Sequence, residues 1–262
     1  MYDQQGDWEL HPIAGASGDA YMGVKSDEKV FFKRNTSPFI AALSAEGIAP
    51  KLMWTQRTFS GDTFTAQEWK DGRLLKKEDM GSKEVIELIR QIHGSDNLLL
   101  MLKRMGERNF YPLDFINQYF VDLSPTLASN HFLNEVIRHM EDAIDNDFYD
   151  LRRTVCHGDL NHNNFLKSHD DHLYLVDWES VKVADPLSDI TMILVHYFSP
   201  SEWMAWFELY NYPINNSFYK RVRWYSMMNC LYLIKQYYLE GRQHKTNEYI
   251  ILLKTIYEDL IN

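Results

Sequence analysis

Cysteine is scarce in this chain: Cys156 and Cys230 are the only two in 262 residues. Two thiols make no disulfide framework, and they suit a reducing compartment. Cys156, in an apolar run, reads as small core filling. Glycine (12) and proline (8) are sparse too, and no repeat, low-complexity tract or long Pro/Gly linker appears. No apolar run approaches the ~18 residues of a membrane span. The first residues, Met1 to Asp7, lack the basic and apolar stretches of a signal peptide, so a cytoplasmic protein without membrane insertion is expected. Basic residues are in deficit, 27 against 37 acidic, for a net charge of −10, which argues against nucleic-acid binding as the main task. Two signatures are missing as well. Without G-x-x-x-x-G-K-[ST] a P-loop fold is not indicated, and without H-E-x-x-H the histidines at 157, 162, 169 and 172 do not read as a zinc site.

What is present is chemistry at two points. Val155-Cys156-His157-Gly158-Asp159-Leu160-Asn161-His162-Asn163-Asn164 places a carboxylate and an amide five residues apart, and Leu173-Tyr174-Leu175-Val176-Asp177-Trp178-Glu179 ends an apolar run on a second carboxylate. A phosphoryl group in flight needs positioning and charge neutralisation more than covalent help. An Asp can accept the proton of an attacking hydroxyl, and a second Asp with an Asn can hold hard Mg2+ through oxygen. Asp159 fits the first post, with His157 beside it, and Asp177 with Asn164 fit the second. The segment between Asp159 and Asp177 reads as a hairpin, with strands at Asn164 to Lys167 and Leu173 to Val176 around a polar turn. Trp178 follows the metal carboxylate and offers a flat ring to a sugar or a cation.

The 45 % hydrophobic content supports one large domain or two lobes. Short strand-like runs fill residues 8–69: Trp8 to Ile13, Ala20 to Val24, Val30 to Lys33, Leu52 to Trp54 and Phe64 to Glu68. After Asp71-Gly72 the pattern turns helical, from Lys83 to Gln91 onward. A long helix is expected within Ser217 to Glu240, with Val222, Tyr225, Met228 or Asn229, Tyr232, Gln236 and Leu239 on one face. The expected fold is α+β and bilobal, with a small β-rich amino lobe over residues 1–70 and a larger, mainly α carboxyl lobe over 71–262.

On the nucleotide side, Gly15, Ser17 and Gly18 form a glycine-containing turn between two candidate strands, whose N–H groups could face phosphate oxygens. Lys33 lies in the apolar strand Phe31-Phe32-Lys33-Arg34. Glu46, in a short helix before Gly47, is the candidate acid to orient it, with an ordinary exposed helix acid as the alternative.

His157-Gly158-Asp159 with Asn164, Lys33 on its strand, Asp177 ending another, and Ile92-His93-Gly94-Ser95 resemble the aminoglycoside phosphotransferase and choline kinase superfamily. The resemblance covers most of residues 8–190. It implies a protein-kinase-like fold, ATP as phosphoryl donor, Mg2+, a small-molecule acceptor, Lys33 on the phosphates, and a hinge at Ala66 to Gly72 where the backbone of Glu68 and Trp69 meets adenine. Ser17-Gly18, Ala20-Tyr21-Met22-Gly23, Asn35-Thr36-Ser37-Pro38, Ile48-Ala49-Pro50, Gln67-Glu68-Trp69 and Val176-Asp177-Trp178 are similar to a group of small bacterial kinases described as cell-cycle regulators. That narrower resemblance implies a ribose-type acceptor and association with the tubulin-like division protein. A kinase-fold binding module for division proteins, or a choline or aminoglycoside kinase, are the alternatives. One departure stands out: Asn161 occupies a place where many superfamily members carry His or Lys, which leaves the positive charge at the γ-phosphate without an identified source.

Overall fold

The computed structural model describes residues 8–13, 19–26, 28–57 and 61–258. In chain order the strands are β1 (Glu9–Pro12), β2 (Ala20–Lys25), β3 (Glu28–Arg34), β4 (Leu52–Arg57), β5 (Thr63–Glu68), β6 (Gly72–Leu74), β7 (Thr154–Cys156), β8 (Phe165–Ser168), β9 (Leu173–Leu175) and β10 (Lys182–Ala184). The helices are α1 (Ile40–Ala45), α2 (Lys83–Gly94), α3 (Asp96–Arg104), α4 (Pro112–Phe120), α5 (Pro125–Ala128), α6 (His131–Asp142), α7 (Leu187–Tyr197), α8 (Trp203–Tyr210), α9 (Phe218–Leu239) and α10 (Gln243–Glu258). This is the mixed α+β, kinase-like fold expected from the sequence. The chain forms two compact units, one of residues 1–79 with 162–180 and one of residues 80–161 with 181–262. The hairpin that carries Asp177 thus groups with the amino-terminal sheet, although the first stretch of the second unit, 80–161, separates them in the chain.

The first unit is built on an antiparallel sheet in the order β1-β2-β3-β5-β4. Side chains alternate across a strand, and in β3 this sends Val30 and Phe32 into a core shared with Phe64 and Ala66. Phe32 is its centre, with Trp8, Trp54 and Phe64 at centroid distances of 5.8, 5.6 and 6.2 Å. Burying such a side chain is worth ~1.5–3 kcal/mol. By the same alternation Lys33 points to the opposite face. A second sheet, β6-β8-β9, holds the hairpin, and Gly72 permits its edge: a Cβ there would lie 2.3 Å from the Lys167 carbonyl oxygen. The hairpin is tied to the loop after α1, where Leu175 N–H donates to Ile48 O at 2.9 Å and the His172 ring meets Gly47 O at 2.8 Å.

The second unit is helical, with the small β7–β10 pair inside it. Its early helices start on side-chain caps. Ser82 and Ser95 accept from Val85 and Leu98 N–H, and Asp114 accepts from Tyr111 N–H ahead of a helix that opens on Pro112. The long helix foreseen near the carboxyl end is α9, about 33 Å at 1.5 Å per residue. It is more deeply buried than a single stripe. Trp224 to Leu231 is buried without interruption, α7 and α10 pack along it, and Gln236 and Leu239, placed on the inner face by the sequence reading, are exposed. Arg221 on α9 pairs with Asp185 at 2.6 Å, both almost fully buried. Among the described residues no helix is long and apolar enough to cross a membrane.

Candidate active site

In the first unit, Lys33 comes off β3 away from the aromatic core and ends between two carboxylates. Its Nζ is 3.1 Å from Asp177 Oδ1 and 2.7 Å from Glu179 Oε1. Burial works to lower the pKa of this ammonium; the hydrogen bonds and charges of Glu179 and Asp177 outweigh it, and the value stands above the ordinary one. Asp177 has φ +64°, the left-handed region that costs a non-glycine residue energy. The chain turns there, at the end of β9, so that positions 177 and 179 both face Lys33. Asn164 is buried, and its carbonyl accepts from Val176 N–H at 2.8 Å, which fastens the start of the hairpin to the residue before Asp177. Asp177, Glu179 and the Asn164 side chain are hard oxygen donors, a set suited to Mg2+.

In the second unit, the loop after β7 is held by a buried acid. Asp189, in the first turn of α7, accepts from His157 N–H at 2.7 Å (Oδ2) and from Gly158 N–H at 2.9 Å (Oδ1). His93 Nε2 stands 3.2 Å from Oδ2 and its Nδ1 2.8 Å from the Tyr210 hydroxyl. Burial pushes the Asp189 carboxyl up, but the hydrogen bond and charge of His93 with the Gly158 N–H prevail, and its pKa lies below the usual value. Gly158, at φ +83°, turns its N–H to Asp189 and sends the chain outward. Asp159 follows, exposed to solvent. Its N–H donates to His157 Nδ1 at 3.2 Å, which ties the start of the loop to that ring. His157 is itself buried and lies against the loop that carries Asp159.

Other expectations fare unequally. Gly15, Ser17 and Gly18 lie outside the described residues. Glu46 caps the end of α1, half-buried, and is not the acid that meets Lys33; Asp177 and Glu179 are. A six-residue helix ends at that point, and Gly47 turns the chain away at φ +72°. Glu68 N–H is committed to Lys51 O at 2.8 Å, so that donor is closed to a base edge, and Trp69 Nε1 donates to Asp71 at 2.9 Å. Trp178 lies inside. It is 8 % exposed, its Nε1 donates to Leu175 O at 2.9 Å, and its ring meets Phe39 edge-on at 6.0 Å. Burial and then the charge of Lys77 lower the pKa of His162. The Cys156 thiol is pushed well up by burial, in keeping with core filling. Sequence reasoning missed Glu179 and Asp189. The first was legible as a second acid two positions beyond Asp177, the second as a lone acid at the head of the apolar run Leu187 to Tyr197.

Comparison with known proteins gives the geometry its context. The profile described as "APH: Phosphotransferase enzyme family" matches residues 17–212. Among solved structures, choline kinase LicA from Streptococcus pneumoniae is similar at a TM-score of 0.70 and 15 % identity, over 94 % of this chain and 93 % of that one. An ethanolamine kinase from Plasmodium vivax is similar at a TM-score of 0.63 and 15 % identity, over 95 % and 81 %. The aminoglycoside phosphotransferase APH(2″)-IIIa, solved with GDP and kanamycin, is similar at a TM-score of 0.64 and 12 % identity, over 96 % and 93 %. At these identities the likeness is one of fold.

Proposed function

The chain belongs to the APH phosphotransferase enzyme family, and on that premise we propose that it transfers the γ-phosphoryl group of ATP to a hydroxyl of a pentose-type sugar. The observation that carries this reading is the contact of Lys33 Nζ with Asp177 Oδ1 at 3.1 Å, across 144 positions of sequence. It joins the strand lysine to the candidate metal carboxylate, two elements whose kinship the sequence could only suggest.

The roles follow from the chemistry of each group. Lys33, whose pKa stands above the ordinary value, stays charged and can hold phosphate oxygens. Asp177, Glu179 and Asn164 are the residues that would hold Mg2+, which when bound neutralises phosphate charge. Asp159 accepts the acceptor's hydroxyl proton as that oxygen attacks the γ-phosphorus and ADP departs. His157, Gly158 and Asp189 keep the base presented.

The test is ATP consumption against ribose, deoxyribose, nucleosides, choline, ethanolamine and an aminoglycoside, with mass detection of the product. Ribose should gain one phosphate. Asp159→Asn should lose ~10²–10⁴-fold in turnover while keeping its fold. If no hydroxylated acceptor stimulates consumption the kinase reading fails; choline turning over faster than ribose overturns the sugar alone. Association with the tubulin-like division protein rests on the sequence resemblance, and co-purification of the two proteins is its own test.

A further inference from the structure

The second unit holds a cation that none of these roles uses. Lys182 opens β10 and stands opposite Cys156 in the antiparallel pair with β7, three residues before Asp159 in the loop that follows. Its Nζ lies 4.8 Å from the ring centroid of Phe110 and 5.3 Å from that of Phe115. The Gln118 side-chain oxygen is 3.5 Å away.

These groups are fixed in place. Phe110 N–H donates to Val183 O at 2.7 Å, and Asn109 forms a parallel bridge with Val183, so the loop carrying the first ring is laced to the strand carrying the lysine. Phe115 is buried in α4, edge-on to Phe110 at 4.7 Å and to Tyr225 at 5.6 Å. The Tyr232 hydroxyl donates to the Phe115 carbonyl at 2.6 Å. Burial works to lower the Lys182 pKa, the charge of Asp189 foremost acts against it, and the net value lies below the ordinary one.

Aromatic faces around a positive charge are the means by which proteins hold onium ligands. Here the recess takes the chain's own ammonium. We propose that Lys182 sets the charge class of the acceptor: it fills the aromatic recess on the Asp159 side of this unit, excludes cationic alcohols, and donates to a hydroxyl oxygen neighbouring the one phosphorylated. The acceptor class is therefore an uncharged polyol rather than an amino or quaternary-ammonium alcohol. This inference rests on Asp159 acting on the acceptor, as in the proposed function.

Two substitutions separate the parts of the argument. Lys182→Met keeps the length and apolar stem but removes the donor; it should raise the KM for ribose ~10–100-fold, the worth of a charged hydrogen bond, with a smaller change in kcat and in the KM for ATP. Lys182→Ala opens the recess. Choline binding, followed by ligand-observed NMR on folded protein without nucleotide, should appear in Lys182→Ala and be absent in the parent and in Lys182→Met. Choline bound equally by the parent, or by none of the three, overturns the proposal, as does an unchanged ribose KM in Lys182→Met when the parent is active. Parent protein that phosphorylates no acceptor, while choline still enters only Lys182→Ala, would instead sink the proposed function and leave the occupied recess standing. Should Lys182→Ala fail to fold, Lys182→Met and the parent decide through the ribose KM and through choline binding to the parent.

Discussion

Removing the carboxylate of Asp189 should unfasten the loop that presents Asp159. Asp189 is 3 % exposed, and its two oxygens serve His157 N–H, Gly158 N–H and the His93 ring. In Asp189→Ala the two peptide groups lose their acceptor inside the protein. At ~1–3 kcal/mol for each buried donor left unsatisfied, they alone cost about 2–6 kcal/mol, against a total stability of ~5–15 kcal/mol for a typical domain. Asp189→Asn is the sharper probe. Oδ1 and Oδ2 each accept from a peptide N–H, so either orientation of the new amide sets its NH2 against a donor. That variant should lose about 1.5–3 kcal/mol, the scale of a hydrogen bond to a charged group. Urea unfolding followed by tryptophan fluorescence reads the stability, and kcat at saturating acceptor reads the loop. The folded-state pKa of Asp189 is depressed, so its contribution is present above the unfolded value of ~3.9 and is lost as pH falls through the folded value. The gap between parent and Asn variant should therefore narrow below about pH 4. An Asn variant within ~0.5 kcal/mol of the parent at pH 7, with parental turnover, would refute the reasoning.

Three other outcomes are expected. Asp177→Ala should weaken ATP binding with Mg2+ present and change it little with the metal chelated, as calorimetry would show; equal loss under both conditions would make Asp177 a structural residue. A double-mutant cycle of Lys33→Met and Glu179→Gln on ATP turnover should give non-additive effects, since the two side chains meet at 2.7 Å, whereas Lys33→Met with Glu46→Gln should be additive; the reverse pattern would restore Glu46 as the orienting acid. Trp178→Ala should cost ~3–5 kcal/mol of stability, because its ring is packed on Phe39, and a variant as stable as the parent would free that ring for a ligand.

The elements of this fold are legible where residue pattern and local chemistry agree. The apolar run Val30 to Lys33 marks a strand, and the polar turn at 168–172 marks the hairpin. Asp177 at the end of a strand comes from the same reasoning. What pattern cannot show is partnership over distance. Nearness in sequence favours Glu46 for Lys33, while the acids that meet the lysine lie far down the chain at 177 and 179, on a left-handed turn that side-chain identity alone does not announce. Trp178 is opaque for a related reason: an aromatic beside an acid looks the same in sequence whether its face is open or packed. Lys182 is silent because one charged residue beside apolar neighbours reads as noise until the groups around it are known.

The hairpin of β8 and β9 also bears on how this chain reaches its native state. β6 pairs with β8, and the loop at Gly47–Ile48 bonds to His172 and Leu175, all within a unit whose two pieces are parted by residues 80–161. A ribosome must therefore deliver the chain as far as Ser180 before the first unit can complete itself. Contacts of such long sequence separation slow folding, since loop closure must precede the gain. Until then Gly72 to Leu74 is an unpaired edge, and Lys33 awaits both of its acids. A fragment ending at residue 161 would hold the five-stranded sheet without its clasp, so the pairing of Lys33 with Asp177 and Glu179 can form only late in synthesis.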